Sequence, residues 1–340
     1  MKILLRRCLI VIYFVLSVSR AHSQGTGNYV KDSIDIARVP QMQISLDTNN
    51  DLPINAVAFK SIRVEDVRFD TTHIGIYSMV TNGFVSSMVN NYKINLKDGL
   101  GNSFSNYLNH SFNIMPGGED KELVCFIKSL SIVRRDTMVE NNSMFKKDGK
   151  MNFTAEVFLR SGDNFYAAFK IDTVLYSLIN IKKKQIGDDM EEYLLMPALQ
   201  LLKNDIGQID WENIATRKAF TEDFVDEHYL KDRFKIPVLS QPCKKGVYRT
   251  FAEFRNNAPS IENFKVEKEK FKTILLSDSK GNLIPTTKLF GFCDGEKYWI
   301  LMGNYPFPMV RVGNGFEFFL TVDKRIKLLL ALDMEKGKVY

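Results

Sequence analysis

After its first two dozen residues this 340-residue chain has no apolar run approaching the roughly 20 residues that a helix needs to cross a bilayer. Cysteine and histidine are scarce, four of each. No two histidines stand at the spacing that puts zinc ligands on one helix face, and no Cys-x-x-Cys occurs. G-x-S-x-G elbows, phosphate loops and dinucleotide fingerprints are missing as well. Those absences remove the enzyme classes that announce themselves locally, so no catalytic, cofactor-binding or metal-binding residue is assigned. A surplus of one charge is lacking too. Of 46 basic residues, Lys2, Arg6, Arg7 and Arg20 precede residue 24, leaving 42 against 40 acidic ones. The longest basic run is Lys182-Lys183-Lys184, and no basic face with interleaved aromatics follows from the pattern, so nucleic acid is not an expected partner.

What is present begins with an address. Lys2, Arg6 and Arg7 form a basic start, Cys8 to Val18 is apolar except for Ser17, and Ala21-His22-Ser23 puts small residues at a peptidase site. Residues 1–23 read as a secretory signal, with Gln24 as the mature N-terminus. An uncleaved anchor is the alternative, but an apolar stretch of about 11 residues is short for a span. Cys8 lies inside that stretch without a lipid-attachment context. Cys125, Cys243 and Cys293 remain after processing, enough for one internal disulfide. Cys125 falls mid-strand among Leu123, Val124, Phe126 and Ile127 and is expected to be inert. Cys243 and Cys293 either pair or stay as packed thiols.

Periodicity divides the mature chain. Residues 24–50 are polar and read as a flexible arm. Residues 51–206 read as an α+β domain, an antiparallel sheet with two packed helices. Its elements are a bulged strand over 56–69, a helix over 95–112 carried by Leu96, Leu100, Phe104, Leu108 and Phe112, and a strand over 122–133. A hairpin joins 152–159 to 165–171 across Ser161-Gly162-Asp163-Asn164, and a second helix covers 190–206, with Pro197 in its first turn or at a kink. Residues 207–242 read as a linker with a short polar helix, Trp211 to Glu227. Residues 243–340 alternate turns with short apolar runs and read as a small β-rich domain.

Three polar groups invite a chemical reading. Asp66, Arg68 and Asp70 share one face if the strand continues, and are expected to form an exposed ladder in which the arginine neutralises two acids. His73 reads as a turn residue, while His110 and His228 have no ligand partner nearby in sequence. Cys293, before Asp294-Gly295, is expected to be packed or disulfide-bonded, since no histidine lies in 243–340 to activate it. Asn109, Asn141 and Asn152 head glycosylation sequons that matter only in a eukaryotic secretory route.

Ile62-Arg63-Val64-Glu65-Asp66-Val67-Arg68-Phe69-Asp70-Thr71-Thr72-His73-Ile74-Gly75, with the helix and strand after it, resembles small bacterial envelope lipoproteins of the transport-auxiliary type. The lipobox cysteine of that group is missing here. Lys245 to Ile261, with Phe290-Gly291-Phe292-Cys293-Asp294-Gly295, is similar to secreted proteins of Bacteroidota that have no assigned activity. Taken with the missing motifs, the first resemblance implies an exported, non-enzymatic binding or accessory protein of the cell envelope. Such a protein would be periplasmic or extracellular, in contact with the outer membrane, with an envelope protein or a lipid-like ligand as partner. The competing expectation is a secreted hydrolase whose site is assembled from distant polar residues at the domain junction.

Overall fold

The computed structural model describes residues 36–46, 59–82, 87–112, 114, 121–139, 144–181, 194–269, 273–321 and 327–340. The signal segment, residues 24–35 and 47–50 of the expected arm, 56–58 of the expected first strand, 190–193 of the expected second helix and Asn141 lie outside them. The remainder of the arm, 36–46, is built into the fold. Ile36 and Ile44 are buried, and β1 (Gln41–Ile44) pairs with a neighbouring strand.

In the first half β1 is followed by β2 (Ser61–Asp66), β3 (Gly75–Asn82), β4 (Ser87–Leu96) and α1 (Leu100–Ser111). Three long strands come next, β5 (Lys121–Val139), β6 (Met144–Ser161) and β7 (Asn164–Ile181), then α2 (Met196–Gln208), α3 (Trp211–Ile214) and β8 (Ala219–Thr221). One eight-stranded sheet contains all of these strands. β5 is its hub. One edge of β5 carries antiparallel β6, while the other carries β2 and β3 end to end, both parallel. β1 is also parallel to β4, so the sheet expected to be antiparallel is mixed.

α1 forms where Leu100, Phe104 and Leu108 recur every four residues, and all three are buried. Its polar face covers an open strand edge. Asn109 Oδ1 accepts from Ile62 N at 2.9 Å, Asn109 Nδ2 donates to Ile62 O at 2.7 Å, and Ser105 Oγ accepts from Val64 N at 2.8 Å. These bonds satisfy backbone groups of β2 that no strand reaches. The hairpin between β6 and β7 turns on Gly162 and Asp163, with Gly162 at φ 59°, a conformation open to glycine. Pro197 stands in the first turn of α2, where its missing N–H costs no helical bond.

The expected helix from Trp211 to Glu227 is broken into α3, β8, α4 (Glu222–Asp226) and a wider turn, Glu227–Lys231. Val225 and Tyr229 from this span are buried against Val67, Val124, Phe126, Phe158 and Phe165, so 207–242 is packed along the sheet. After α5 (Pro237–Ser240) come β9 (Gly246–Tyr248), α6 (Phe251–Arg255) and a three-stranded sheet of β10 (Phe264–Lys268), β11 (Ile274–Asp278) and β12 (Leu283–Ile284). The last sheet comprises β9, β13 (Gly291–Cys293), β14 (Tyr298–Met302), β15 (Tyr305–Val312), β16 (Gly315–Thr321) and β17 (Lys327–Leu332), all antiparallel.

The halves share buried surface. Phe69, from the first half, sits in the core of the second with Ile236, Tyr248, Phe254 and Phe318. Ile36 and Ile76 pack on Leu329 and Ala331. Asn91 of β4 donates to Lys327 O at 2.7 Å and accepts from Leu329 N at 3.1 Å, acting on β17 as one more strand would.

Candidate functional site

β2 stops at Asp66 and β3 starts at Gly75, so residues 67–74 cross the gap beside the middle of β5. The side-chain alternation of a strand lapses there, and Asp66, Arg68 and Asp70 part company. Arg68 is buried, in contrast to the expected exposed ladder. It grips Asp66 alone, with Nε to Oδ1 and Nη2 to Oδ2 both at 2.8 Å. Its Nη1 donates to His73 O at 2.7 Å and Leu130 O at 3.2 Å, closing the backbone gap. Asp70 instead accepts from the Thr72 amide and hydroxyl. Gly75 ends the crossing, and a Cβ there would lie 2.3 Å from Ile132 O.

His73, read as a turn residue, lies in the crossing between β2 and β3 and is buried at the junction of the halves. Its Nε2 lies 2.8 Å from Glu317 Oε1 and 3.5 Å from Asp70 Oδ2. Lys93 of β4 places Nζ 3.0 Å from Glu317 Oε2, and Glu317, in β16, is 0% exposed. Asp70, His73 and Glu317 offer ligand atoms within 4.8 Å of one another, as three-ligand metal sites do. The Lys93 ammonium on the same carboxylate opposes a divalent cation, so the arrangement functions as a buried ion-pair cluster. Beside it a cavity of about 40 Å³ lined by Arg68, His73, Ser131 and Tyr340 has room for one water. His73 Nδ1 has no hydrogen-bond partner among the described residues.

A larger cleft, about 390 Å³, opens where both halves meet the 227–237 segment. Its first wall comes from a fault in β5. Ile127 opposes Ala155 and Ser129 opposes Thr154, leaving Lys128 as the unpaired residue of a β-bulge. Lys128 Nζ donates to Glu156 at 3.0 Å, and its freed carbonyl accepts from Arg233 Nη2 at 2.9 Å. Tyr229 also donates to Glu156. Burial pushes the Glu156 carboxyl up, but the Tyr229 and Lys128 hydrogen bonds outweigh it and hold the group below its ordinary value. The same contact, added to burial, raises the Tyr229 phenol far above its ordinary range.

Arg233 and Arg255 form the floor. Both guanidinium groups lie over the Phe69 ring, their carbons 4.7 and 5.9 Å from its centroid. Arg233, its side chain 7% exposed, pairs with Glu335 at 3.2 Å, and burial pulls its pKa down from the usual arginine value while Glu335 pulls it back. Arg233 Nε, Arg233 Nη1 and Arg255 Nε are buried donors with no acceptor among the described residues. The remaining polar lining is His228, Asp232, Lys235 and Asn256. Lys235 is held at the rim by Asp232, 2.7 Å away.

Cys293 is disulfide-bonded to Cys243, their Cα atoms 6.5 Å apart, so it is not available as a nucleophile. Cys125 is a buried free thiol whose pKa burial pushes up to about 12. His110 lies exposed on α1, and His228 stacks on Phe224 at the cleft rim. Asn109 and Asn152, two of the sequon asparagines, are engaged through their amides by β2 and by Ser131. Sequence reasoning passed over Lys93, Lys128, Arg233, Arg255 and Glu317. Only Glu317 carried a local signal, a lone acid inside the apolar run Phe316 to Leu320.

No protein-family model and no curated protein matches the chain. Among solved structures, an uncharacterized protein aligns over 49% of this chain and 99% of its own, at 14% identity and a TM-score of 0.22. That likeness is too low to transfer a fold or an activity.

Proposed function

We propose that the protein is an exported, non-catalytic binding protein of the cell envelope, and that the cleft over Phe69 is where it holds its ligand. The sheet with α1 and α2 serves as scaffold, and the 227–237 segment and α6 supply the contact groups. The observation that carries the reading is a cleft of about 390 Å³ between the halves with buried donors lacking acceptors. The Cys243–Cys293 disulfide suits an oxidising compartment, and no helix among the described residues is long and apolar enough to cross a membrane. A hydrolase would place its polar groups where substrate reaches them. The junction cluster instead buries His73 against Glu317, and no serine, threonine or cysteine among the described residues hydrogen-bonds to that imidazole.

The test is a survey of small polar and lipid-like compounds followed through the Tyr229 and His228 ring resonances. Compounds that shift those resonances and are recovered intact support a binding role. Time-dependent consumption of a compound, abolished by His73→Ala, would establish the hydrolase and overturn the proposal.

A further inference from the structure

We infer that the ligand of this cleft is recognised through an oxyanion, a phosphate or carboxylate group, received by Arg233 and Arg255 above Phe69. The inference rests on the binding role proposed above and names the chemistry of the group bound. Its first support is charge. The lining holds four cationic side chains, Lys128, Arg233, Lys235 and Arg255, against two carboxylates, Asp232 and Glu335. Lys128 is bound to Glu156, Lys235 to Asp232 and Arg233 to Glu335. The Arg255 guanidinium has neither hydrogen bond nor ion pair among the described residues, and its charge meets the Phe69 ring instead.

The second support is geometric. Two guanidinium groups gathered over one phenyl ring repel each other, and the ring offers only its electron-rich face in return. Attraction to the ring uses none of the guanidinium N–H groups, which form the planar fork with which arginine receives phosphate or carboxylate. Three edge donors, Arg233 Nε and Nη1 and Arg255 Nε, have no acceptor. An anion between the two groups would meet those donors and screen the repulsion together. A neutral or cationic ligand would do neither. The bulge at Lys128 and the Glu335 pair fix Arg233 in place before any ligand arrives, so the site is preorganised.

The experiment uses the mature, disulfide-bonded protein and three probes: inorganic phosphate, malonate, and vesicles of phosphatidylglycerol. Phosphate or malonate should titrate to one site, more weakly as sodium chloride rises, and Arg255→Gln should weaken binding at least tenfold. Arg255→Lys, which keeps the charge but loses the fork, should fall between the two. Without ligand, Arg255→Gln should melt no lower than the parent, because in the empty protein the residue brings mainly repulsion. Vesicle binding lost in Arg255→Gln supports the inference with a lipid headgroup as the source. Vesicle binding unaffected by that substitution, or a marked fall in the melting temperature of the empty variant, overturns it. Neutral compounds that shift the Tyr229 resonances while phosphate and malonate shift nothing overturn the oxyanion and leave the binding role standing. Silence from every class of compound overturns both.

Discussion

Removing the Glu317 carboxylate should destabilise the protein far more than removing Glu317 and its partner Lys93 together. In Glu317→Leu the β16 backbone and its buried apolar neighbours Phe316 and Phe318 remain, but Lys93, 6% exposed, loses the anion 3.0 Å away, and His73 loses its hydrogen-bond partner. Stripping one partner from a buried ion pair costs about 3–5 kcal/mol, because the remaining charge stays desolvated. Against a typical total stability of roughly 5–15 kcal/mol, that is a large share. Replacing both charges, Lys93→Met with Glu317→Leu, removes the unpaired ammonium and should recover most of the loss. Urea unfolding followed by the fluorescence of Trp211 and Trp299 measures both, and the double-mutant cycle isolates the coupling. The two tryptophans stand in different halves, so coincident transitions would also report that the junction unfolds with its neighbours. A loss below about 1 kcal/mol in the single variant, or additive losses in the double one, would refute the argument that desolvation dominates here.

Four further outcomes are expected. Denatured, unreduced mature protein should titrate one thiol, Cys125, and three would refute the disulfide. Cys243→Ala with Cys293→Ala should lower stability by about 4 kcal/mol, the chain-entropy value for a separation of 50 residues. Glu156 has a folded pKa below its unfolded one, so its contribution is present above about pH 4.3 and is lost as pH falls through the lower folded value. Tyr229→Phe removes one of the bonds that depress it, so the variant should lose less stability than the parent across that acid window, and equal slopes would contradict the assignment. Intact-mass analysis of exported protein should find Gln24 at the N-terminus, and retention of Met1 in a membrane fraction would refute the signal reading.

Elements whose residues encode their own environment were legible. α1 has its apolar stripe, Pro197 marks the start of α2, and Gly162 with Asp163 marks the tip of the long hairpin. β3 and β4 were not, because Ser87 to Leu96 carries asparagines and a lysine that belong to the junction and blur the period-two pattern. Among them Asn91 bonds β17 and Lys93 bonds Glu317. β15 was hidden by Pro306 and Pro308. Both precede Val310–Val312, the stretch paired with β16, so neither missing N–H breaks a rung there. The cleft was invisible for a different reason. Lys128 and Arg255 stand 127 positions apart, and what joins them is the insertion of Phe69 from the first half into the core of the second. No local spacing encodes an event of that kind.

The bulge at Lys128 has a counterpart. Val157 opposes Phe169 and Phe158 opposes Ala167, so Ala168 is the supernumerary residue of β7. Its carbonyl accepts from Arg217 at 2.8 Å, as that of Lys128 accepts from Arg233. The segment that reads in sequence as a tether is thus buttoned to the sheet at two sites, each an arginine set into a miscounted rung. At Lys128 and Ala168 the sheet therefore conserves length ahead of side chain. Exchanging either residue would leave its carbonyl in place for the arginine, whereas deleting either would close the ladder into regular alternation, with the pairs on both sides kept, and leave no socket for the button.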